Sequence, residues 1–329
     1  MCYNLKWMKV VSIMRIAILT SGGDAPGMNA AIRAATRAAL AKGHKVYGVF
    51  DGYKGLIEGK FEKFNRSDVS ETLNRGGTIL GTARLPEFTE IEIQKLAIKQ
   101  LEARGIDGLI CIGGDGTYRG ARALSEFGIK CIGIPGTIDN DIASTELTIG
   151  FSTALNTAVE AIDKLRDTSS SHQRCSIIEV MGRRCGDLAL YSGICCGAEY
   201  IITADTGFDK QALLESLREN RLEGRRHAIV VISENICDVH ALAQEVEEYT
   251  GYECRGTILG YVQRGGCPTP EDRLLASRMG AYAVDLLEQG VYGCAIGIRH
   301  NELYHMPFDE ALTKSKSSKE LLGLVSKIQ

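Results

Sequence analysis

Asp139 and Asp141 stand two residues apart in the loop Pro135-Gly136-Thr137-Ile138-Asp139-Asn140-Asp141, directly after the apolar run Cys131–Ile134. In extended backbone, side chains at i and i+2 project to the same side. Two carboxylates so close repel each other unless a cation or a proton lies between them. The pair therefore points to Mg2+ binding or to proton transfer. A capped turn leading into a helix is the plain structural alternative, and the neighbouring loops bear on the choice.

Two glycine-rich loops repeat the theme. Ser21-Gly22-Gly23-Asp24-Ala25-Pro26-Gly27 joins the first expected strand to the first expected helix. Glycines let backbone N–H groups approach a phosphate, and a helix N-terminus adds about half a positive charge. The spacing is G-x-x-x-x-G, but Met28-Asn29 stand where a P-loop needs Lys and Ser or Thr. G-x-G-x-x-G is missing, which counts against a dinucleotide oxidoreductase. Gly113-Gly114-Asp115-Gly116-Thr117 follows Ile106–Ile112 and suits a nucleotide diphosphate that shares Mg2+ with Asp115. Taken singly, the first loop could be a tight turn and Asp115 a helix cap. Three such loops after apolar strands, however, gather on one rim, where open α/β sheets bind ligands.

Phosphoryl transfer needs cations around the moving group. Arg84, in Gly81-Thr82-Ala83-Arg84, and Arg183, in Met181-Gly182-Arg183, fall in loops rather than on helix faces. Arg174 closes the hydroxyl-rich segment Thr168–Gln173, and Arg255 and Arg264 flank the expected strand Thr257–Val262. Any one of them could be a solvated surface arginine. As a loop-borne set beside glycines they read as a phosphate clamp.

The elements that must position these loops follow from alternating β-branched runs and helical patterns. Strands are expected at Met14–Leu19, Lys45–Phe50, Ile106–Ile112, Lys130–Ile134, Ser176–Val180, Tyr200–Thr203, Ala228–Ser233 and Thr257–Val262. Helices are expected at Asn29–Ala41, Glu90–Arg104, Tyr118–Phe127, Leu188–Cys195, Lys210–Asn220, Asp238–Tyr249 and Glu271–Glu288. One more opens with Ser152 as N-cap and carries Leu155, Val159 and Ile162 on one face. Asp51–Gly55 reads as the loop ending the second strand. This order implies an α/β protein of two doubly wound units, with mainly parallel sheets and helices on both faces.

No proline-rich or Gly/Ser linker marks a boundary, so function places it. Residues 1–150 with about 263–313 are expected as a larger domain, about 151–262 with 314–329 as a smaller one, and 1–13 as an N-terminal extension. The polar stretch Lys314–Lys319 is expected to be loose. Gly-Gly-Asp occurs at Gly22–Asp24 and Gly113–Asp115, and Arg-Gly-Gly at Arg75–Gly77 and Arg264–Gly266.

With 329 residues, 44% of them hydrophobic and 24% charged, the chain has ample core for two such units. A net charge of −3, from 38 basic and 41 acidic residues, gives no general attraction to nucleic acid or anionic membrane, so any anion must be captured locally. Eleven cysteines without a C-x-x-C spacing argue against zinc or a disulfide framework and for a reducing cytoplasm. No apolar run approaches the roughly 20 residues of a membrane span. Met1–Ser12 has no apolar h-region and does not read as a signal peptide.

In this order, the segments Thr20–Arg33, Ile112–Thr117, Pro135–Phe151, Arg166–Arg174, Glu179–Arg183 and Gln263–Gly266 resemble the bacterial-type ATP-dependent 6-phosphofructokinases, from about Met14 to near Pro307. The resemblance implies Mg2+-dependent transfer of the ATP γ-phosphoryl to the 1-hydroxyl of fructose 6-phosphate. It also implies a homotetramer whose active sites are completed across a subunit interface. By the same resemblance Asp139 is the general base, Thr137 holds the hydroxyl region, Asp115 binds Mg2+ and Asp141 supports it. Gly23, Arg84, Leu85 and the loop Gly114, Asp115, Gly116 and Thr117 would hold ATP, and Arg84 and Arg183 would offset charge on the phosphoryl. Met181, Gly182, Glu234, Tyr261 and Arg264 would contact the sugar phosphate, with Arg174 and Arg255 reaching it from the neighbouring subunit. An effector site for ADP or phosphoenolpyruvate would fall on Arg33, Arg37, Arg66, Arg166, Glu199, Arg225 and His227.

Departures from the family pattern qualify this assignment. Relatives using pyrophosphate carry Asp and Lys where this chain has Gly116 and Gly136, which favours ATP. Tyr261 replaces a common histidine, Glu223 a common basic residue and Ser67 an aromatic, and the adenine side (Leu85, Thr89, Gln94) lacks aromatic and basic groups. A catalytically silent sugar-phosphate sensor on the same fold would be expected to lose Asp139, Asp115 or Arg183. All three are present.

Overall fold

The computed structural model describes residues 12–203, 205, 207–313 and 319–328. Most of the expected N-terminal extension (residues 1–11) and of the expected loose stretch (314–318) lies outside those residues. The chain begins with β1 (Arg15–Ser21), α1 (Met28–Ala41), β2 (Lys45–Val49), α2 (Gly52–Glu58) and β3 (Phe61–Phe64). It continues through α3 (Ile91–Ala103), β4 (Gly108–Gly113), α4 (Asp115–Glu126), β5 (Cys131–Pro135) and α5 (Phe151–His172). Next come β6 (Arg174–Val180), α6 (Asp187–Cys195), β7 (Tyr200–Ile202), α7 (Lys210–Leu222), β8 (Ala228–Ser233), α8 (Val239–Thr250) and β9 (Glu253–Ile258). The last elements are α9 (Pro270–Glu288), β10 (Cys294–Arg299), β11 (Glu302–Pro307), α10 (Phe308–Thr313) and α11 (Lys319–Ile328).

Two sheets result. One has seven strands in the order β11-β10-β5-β4-β1-β2-β3, the other four in the order β7-β8-β6-β9. β1 shows why its sheet is covered on both sides. Ile16 and Ile18 join one buried cluster, with α1 and α9, while Ala17 and Leu19 join another, with α2, α3 and α4. A strand buried on both faces reads as a continuous apolar run. The alanines of α1 let α9 come close: a Cβ on Gly280 would lie 2.6 Å from the Ala31 carbonyl oxygen.

The expected α/β class, mainly parallel with helices on both faces, is what the structure shows. Its edges differ, because β3 pairs antiparallel with β2 and β11 antiparallel with β10. Neither β3 nor the β10–β11 hairpin announces itself in the sequence. β3 and β11 are edge strands with few buried residues and little apolar alternation, whereas β10 is an inner strand whose buried run Cys294–Ile298 goes unrecognised in the sequence. Two local expectations are overturned. The strand expected at Thr257–Val262 lies earlier, at β9, and Gly260–Arg264 coils into a 3-10 turn, since Gly260 takes φ 57° and breaks the extended run. Asp51–Gly55, expected as a loop, opens α2, with Asp51 itself in the left-handed region at φ 58°. Among the described residues no helix is long and apolar enough to cross a membrane.

The N-cap of α5 is Gly150, not Ser152, and no side chain of its own loop caps it. The cap comes from α9: the Asp272 carboxylate accepts from Gly150 N (2.8 Å), Thr153 N (2.8 Å) and Thr153 Oγ1 (2.5 Å). Asp272 is 1% exposed, so its loss would strand three buried donors. Asp272→Ala should lower the unfolding free energy by roughly 3 kcal/mol, read as a drop in urea midpoint at constant slope. An unchanged midpoint would remove this capping account.

Candidate active site

Register brings the three polar loops together. Ser21 pairs with Gly113, and Gly113 with Pro135, so β1, β4 and β5 end side by side and their loops leave one rim. The loops are then tied to one another. Thr117 Oγ1 donates to Ser21 O (2.8 Å), Thr82 Oγ1 to Gly22 O (2.8 Å), and Gly136 N to Gly113 O (3.1 Å). Asp115 is the first residue of α4, which no side chain caps, so the opening N–H groups of that helix stay available to an anion. The Thr117 side chain is committed to the backbone, leaving its N–H for that purpose. A Cβ on Gly116 would meet nothing within 4 Å, so that face of the loop is open.

A second rim faces the first. Val180 pairs with Ser233 and Glu179 with Ile258, so the loops carrying Met181–Arg183, Glu234 and Tyr261–Arg264 leave the same end of the smaller sheet. Glu234 Oε1 accepts from Gly182 N (3.1 Å) and Arg183 N (2.6 Å), while Gln263 Oε1 accepts from Met181 N (3.3 Å). Arg183 sits at φ 59°, a conformation that costs a non-glycine residue about 1–2 kcal/mol. The hydrogen bonds of Gly182 N and Arg183 N to Glu234 Oε1 offset that strain.

Across the gap, Arg183 Nη1 lies 3.8 Å from Asp141 Oδ2, with the arginine side chain 65% exposed. A pair so exposed contributes at most about 1 kcal/mol to stability, so it is not what holds the loops together. The Arg264 guanidinium lies directly over Gly23, where a Cβ would collide with it, and 5.5 Å from the Tyr261 ring. Its Nε is buried without a hydrogen-bond partner. The two Arg-Gly-Gly stretches meet here as well, the Gly76 backbone resting on that of Gly266. Burial, then the charges of Asp141 and Glu234, push the Asp139 carboxyl up to about 6, against the opposing pull of Arg264 and Arg183.

Residues between the two aspartates hold the loop. Asn140, fully buried at φ 53°, accepts from Thr148 N (3.0 Å) and donates to Glu146 O (3.2 Å) and Asp187 Oδ2 (2.8 Å). The β10–β11 hairpin pins the far side: Ile298 N donates to Thr145 Oγ1, and Tyr304 OH to Ser144 O. Asn140, Asp187, Gln263 and Asp272 escape a search for reactive residue types, because each works through hydrogen bonds between distant segments. Only the burial of polar side chains reveals them.

The remaining expected residues fall in three places. Arg84 is exposed in the loop anchored by Thr82, and Leu85 is half-buried beside it. On the adenine side, Gln94 is turned inward to donate to Phe88 O (2.9 Å). Arg174 opens β6 at the opposite end from Arg183, Arg255 lies within β9 opposite Ser176, and both pair with Glu253, Arg174 at 2.8 Å. The effector set separates into two groups. Arg33, Arg37 and Arg66 lie close enough that burial and then the other two arginines lower the Arg33 pKa. Glu199 and Arg225 instead line a cavity of about 290 Å³ beside β7, next to the Cys196 and Gly197 carbonyls that Arg166 bonds. Half-buried His227 directly precedes β8.

Fold and site together define an α/β enzyme with a cleft between two facing rims. A family model described as Phosphofructokinase matches residues 15–287. The chain is 56% identical over 304 residues to the ATP-dependent 6-phosphofructokinase of Vibrio campbellii, covering 92% of this chain and 95% of that one. The phosphofructokinase structure from Saccharomyces cerevisiae superposes with a TM-score of 0.83 at 34% identity; the match covers 96% of this chain and 46% of that longer one. A pyrophosphate-dependent phosphofructokinase from Marinobacter aquaeolei shares the fold, with a TM-score of 0.84 at 20% identity, over 93% of this chain and 85% of that one. The chain belongs to the phosphofructokinase family, and it is an enzyme, a phosphotransferase with an alcohol acceptor.

A carboxyl that ionises near pH 6 has a signature in both rate and stability. If Asp139 is the base it must be ionised, so kcat/KM should rise through about pH 6 and level off above it. Because its folded pKa is raised, the native state binds the extra proton. The side chain therefore stabilises the fold least once pH exceeds about 6. Asp139→Asn should then lose activity by at least about 100-fold while its melting temperature at pH 8 equals or exceeds the parent's. A folded variant with parental turnover would dismiss Asp139 as the base.

Proposed function

We propose that this enzyme transfers the γ-phosphoryl of ATP to the 1-hydroxyl of fructose 6-phosphate, giving fructose 1,6-bisphosphate in glycolysis. The observation that carries the reading is the Asp139 carboxylate, poised to ionise near pH 6 between the nucleotide-side loops and Arg183. Asp139 takes the hydroxyl proton, and Thr137 Oγ1, which accepts from Asp139 N at 3.2 Å, holds the reacting end of the sugar. The N–H groups opening α4 and the loop around Gly23 cradle phosphates, and Arg84 and Arg183 balance charge on the moving group. Arg264, with its buried unpaired Nε, and the loop of Met181, Gly182 and Glu234 receive the sugar phosphate. Tyr261 adds a hydrogen bond but no charge there.

Among the described residues no group of three or more His, Cys, Asp or Glu could hold a metal alone. That suits Mg2+, which keeps its waters and arrives on phosphates through one or two carboxylates. Asp115, a third exposed at the start of α4, would hold it, with Asp141 in support. When bound, Mg2+ neutralises charge on the phosphate oxygens.

Arg174 cannot serve the same chain's sugar phosphate: it begins β6, whose other end leads to Arg183, roughly 20 Å away for a seven-residue strand. Arg255 lies near it within β9, opposite Ser176 and held to the same Glu253. This supports a homotetramer in which each site borrows them from a neighbour. The exposed Ile258 and Val262, 51% and 62% accessible at the other end of β9, offer a further apolar surface for subunit contact. The domain division at about residue 150, with return near 263 and 314, follows the two sheets, and a cytoplasmic location suits the reaction.

The effector residues, split into two groups in one chain, would meet across another such contact to take ADP or phosphoenolpyruvate. Glu223 lies 3.9 Å from Arg225 and places an anion where an anionic effector would bind. Control by either compound should therefore be weak, less than about a tenfold change in half-saturation for fructose 6-phosphate; strong ADP activation of the purified enzyme would refute this.

Initial rates with each donor test the main reading. ATP should support turnover and pyrophosphate should not, and a higher rate with pyrophosphate would reverse the assignment. Gly116→Asp adds a carboxylate in open space, so folding should survive while kcat/KM for ATP falls at least about tenfold.

A further inference from the structure

The Asn140 amide has its orientation fixed by its neighbours. Thr148 N can only donate, so the atom it meets is Oδ1, and Nδ2 must face Glu146 O and Asp187 Oδ2. Asp187 opens α6 and is 1% exposed. It closes the segment Gly182–Gly186, whose other end is held by Glu234 and whose Gly186 N donates to Asp205 Oδ2 (3.1 Å). Asn140 itself separates Asp139 from Asp141. The buried hydrogen bond from Asn140 to Asp187, with Cys185 Sγ donating to Asn140 O (3.9 Å) beside it, joins the loop carrying both carboxylates to the loop carrying Arg183 and spans the two sheets.

We propose that Asn140 and Asp187 are positioning residues: their hydrogen bond sets the Arg183 loop against Asp139, on the reading of phosphoryl transfer given above. The ion pair at the same junction is too exposed to do this, whereas a buried bond to a carboxylate is directional and screened little. The left-handed backbone of Asn140 adds to the effect. Strain at that residue persists only where the surroundings over-determine it, and the three partners of its side chain supply that restraint.

The test compares side-chain replacements at fixed fold. Asp187→Ala should lower kcat at least tenfold with KM for ATP little changed, and Asp187→Asn, whose rotated carboxamide can still accept from Asn140, should recover most of the loss. In the Asp187→Ala background, Arg183→Lys should cost less than in the parent, because the arginine is already misplaced. Should the alanine variant fail to fold, Asn140→Asp carries the test: facing carboxylates should cause the same loss, and adding Asp187→Asn should restore part of it. Parental kcat in Asp187→Ala, strictly multiplicative losses with Arg183→Lys, or an Asn variant as poor as the Ala one would each overturn the proposal. Hydrogen exchange separates this from the activity itself. Segments 137–148 and 182–187 should lose protection together in Asp187→Ala even if the parent fails to phosphorylate fructose 6-phosphate, and unchanged protection overturns the joint alone.

Discussion

Like charge held in a confined place is the constraint on which this molecule turns. Asp139, Asp141 and Glu234 gather at the gap between two sheet rims, and burial adds to their mutual repulsion. Water would relax that strain if the loops could move apart. They do not, because each is fastened by hydrogen bonds: Asn140 to Thr148, Glu146 and Asp187, the Glu234 carboxylate to two backbone amides, Thr145 and Ser144 to the β10–β11 hairpin. A carboxylate kept partly from water and near its own kind is a better base than one in bulk solvent. Arg183 and Arg264 set the limit, since without them the proton would stay on.

Much of this was legible in the chain before any coordinates. Apolar β-branched runs ending in Gly-Gly-Asp or Pro-Gly-Thr-Ile-Asp mark strand ends, and parallel pairing puts successive strand ends on one edge. That logic recovers the parallel strands up to β8 and all three loops of the larger rim, but misses β10, which pairs parallel with β5. It fails where structure is made by context. β3 and β11 exist because a neighbouring edge offers unpaired groups, so their own sequences need not alternate. The Thr257–Val262 error has a definite cause: the β-branched content is real, but Gly260 at positive φ turns the chain after Ile258. The N-terminus of α5 shows the same limit. A serine near a helix start is a local signal, and it loses to an aspartate over a hundred residues away that is buried and better placed.

The site divides the same way. Residues that would touch substrate are recognisable by type, because phosphate calls for glycine N–H groups and guanidinium, and proton transfer for a carboxylate. Residues that aim them are amides and acids of ordinary type, Asn140, Gln263 and Asp187, distinguished only by lying almost wholly out of water. Leaving such groups unpaired would cost more than most surface contacts contribute, so each fixes a geometry whether or not it meets a ligand.

Strand polarity finally separates the arginines of the smaller sheet. A parallel sheet sends all its carboxyl ends to one rim, which concentrates loops there and leaves its amino ends bare. β6 carries Arg174 at its start and runs into Met181 and Arg183 at its finish, and the two are separated by the length of the strand. No loop rearrangement can bring them to one small anion without unzipping β6 from β8 and β9. The arginine at the amino end is paired instead with Glu253 of the adjacent strand.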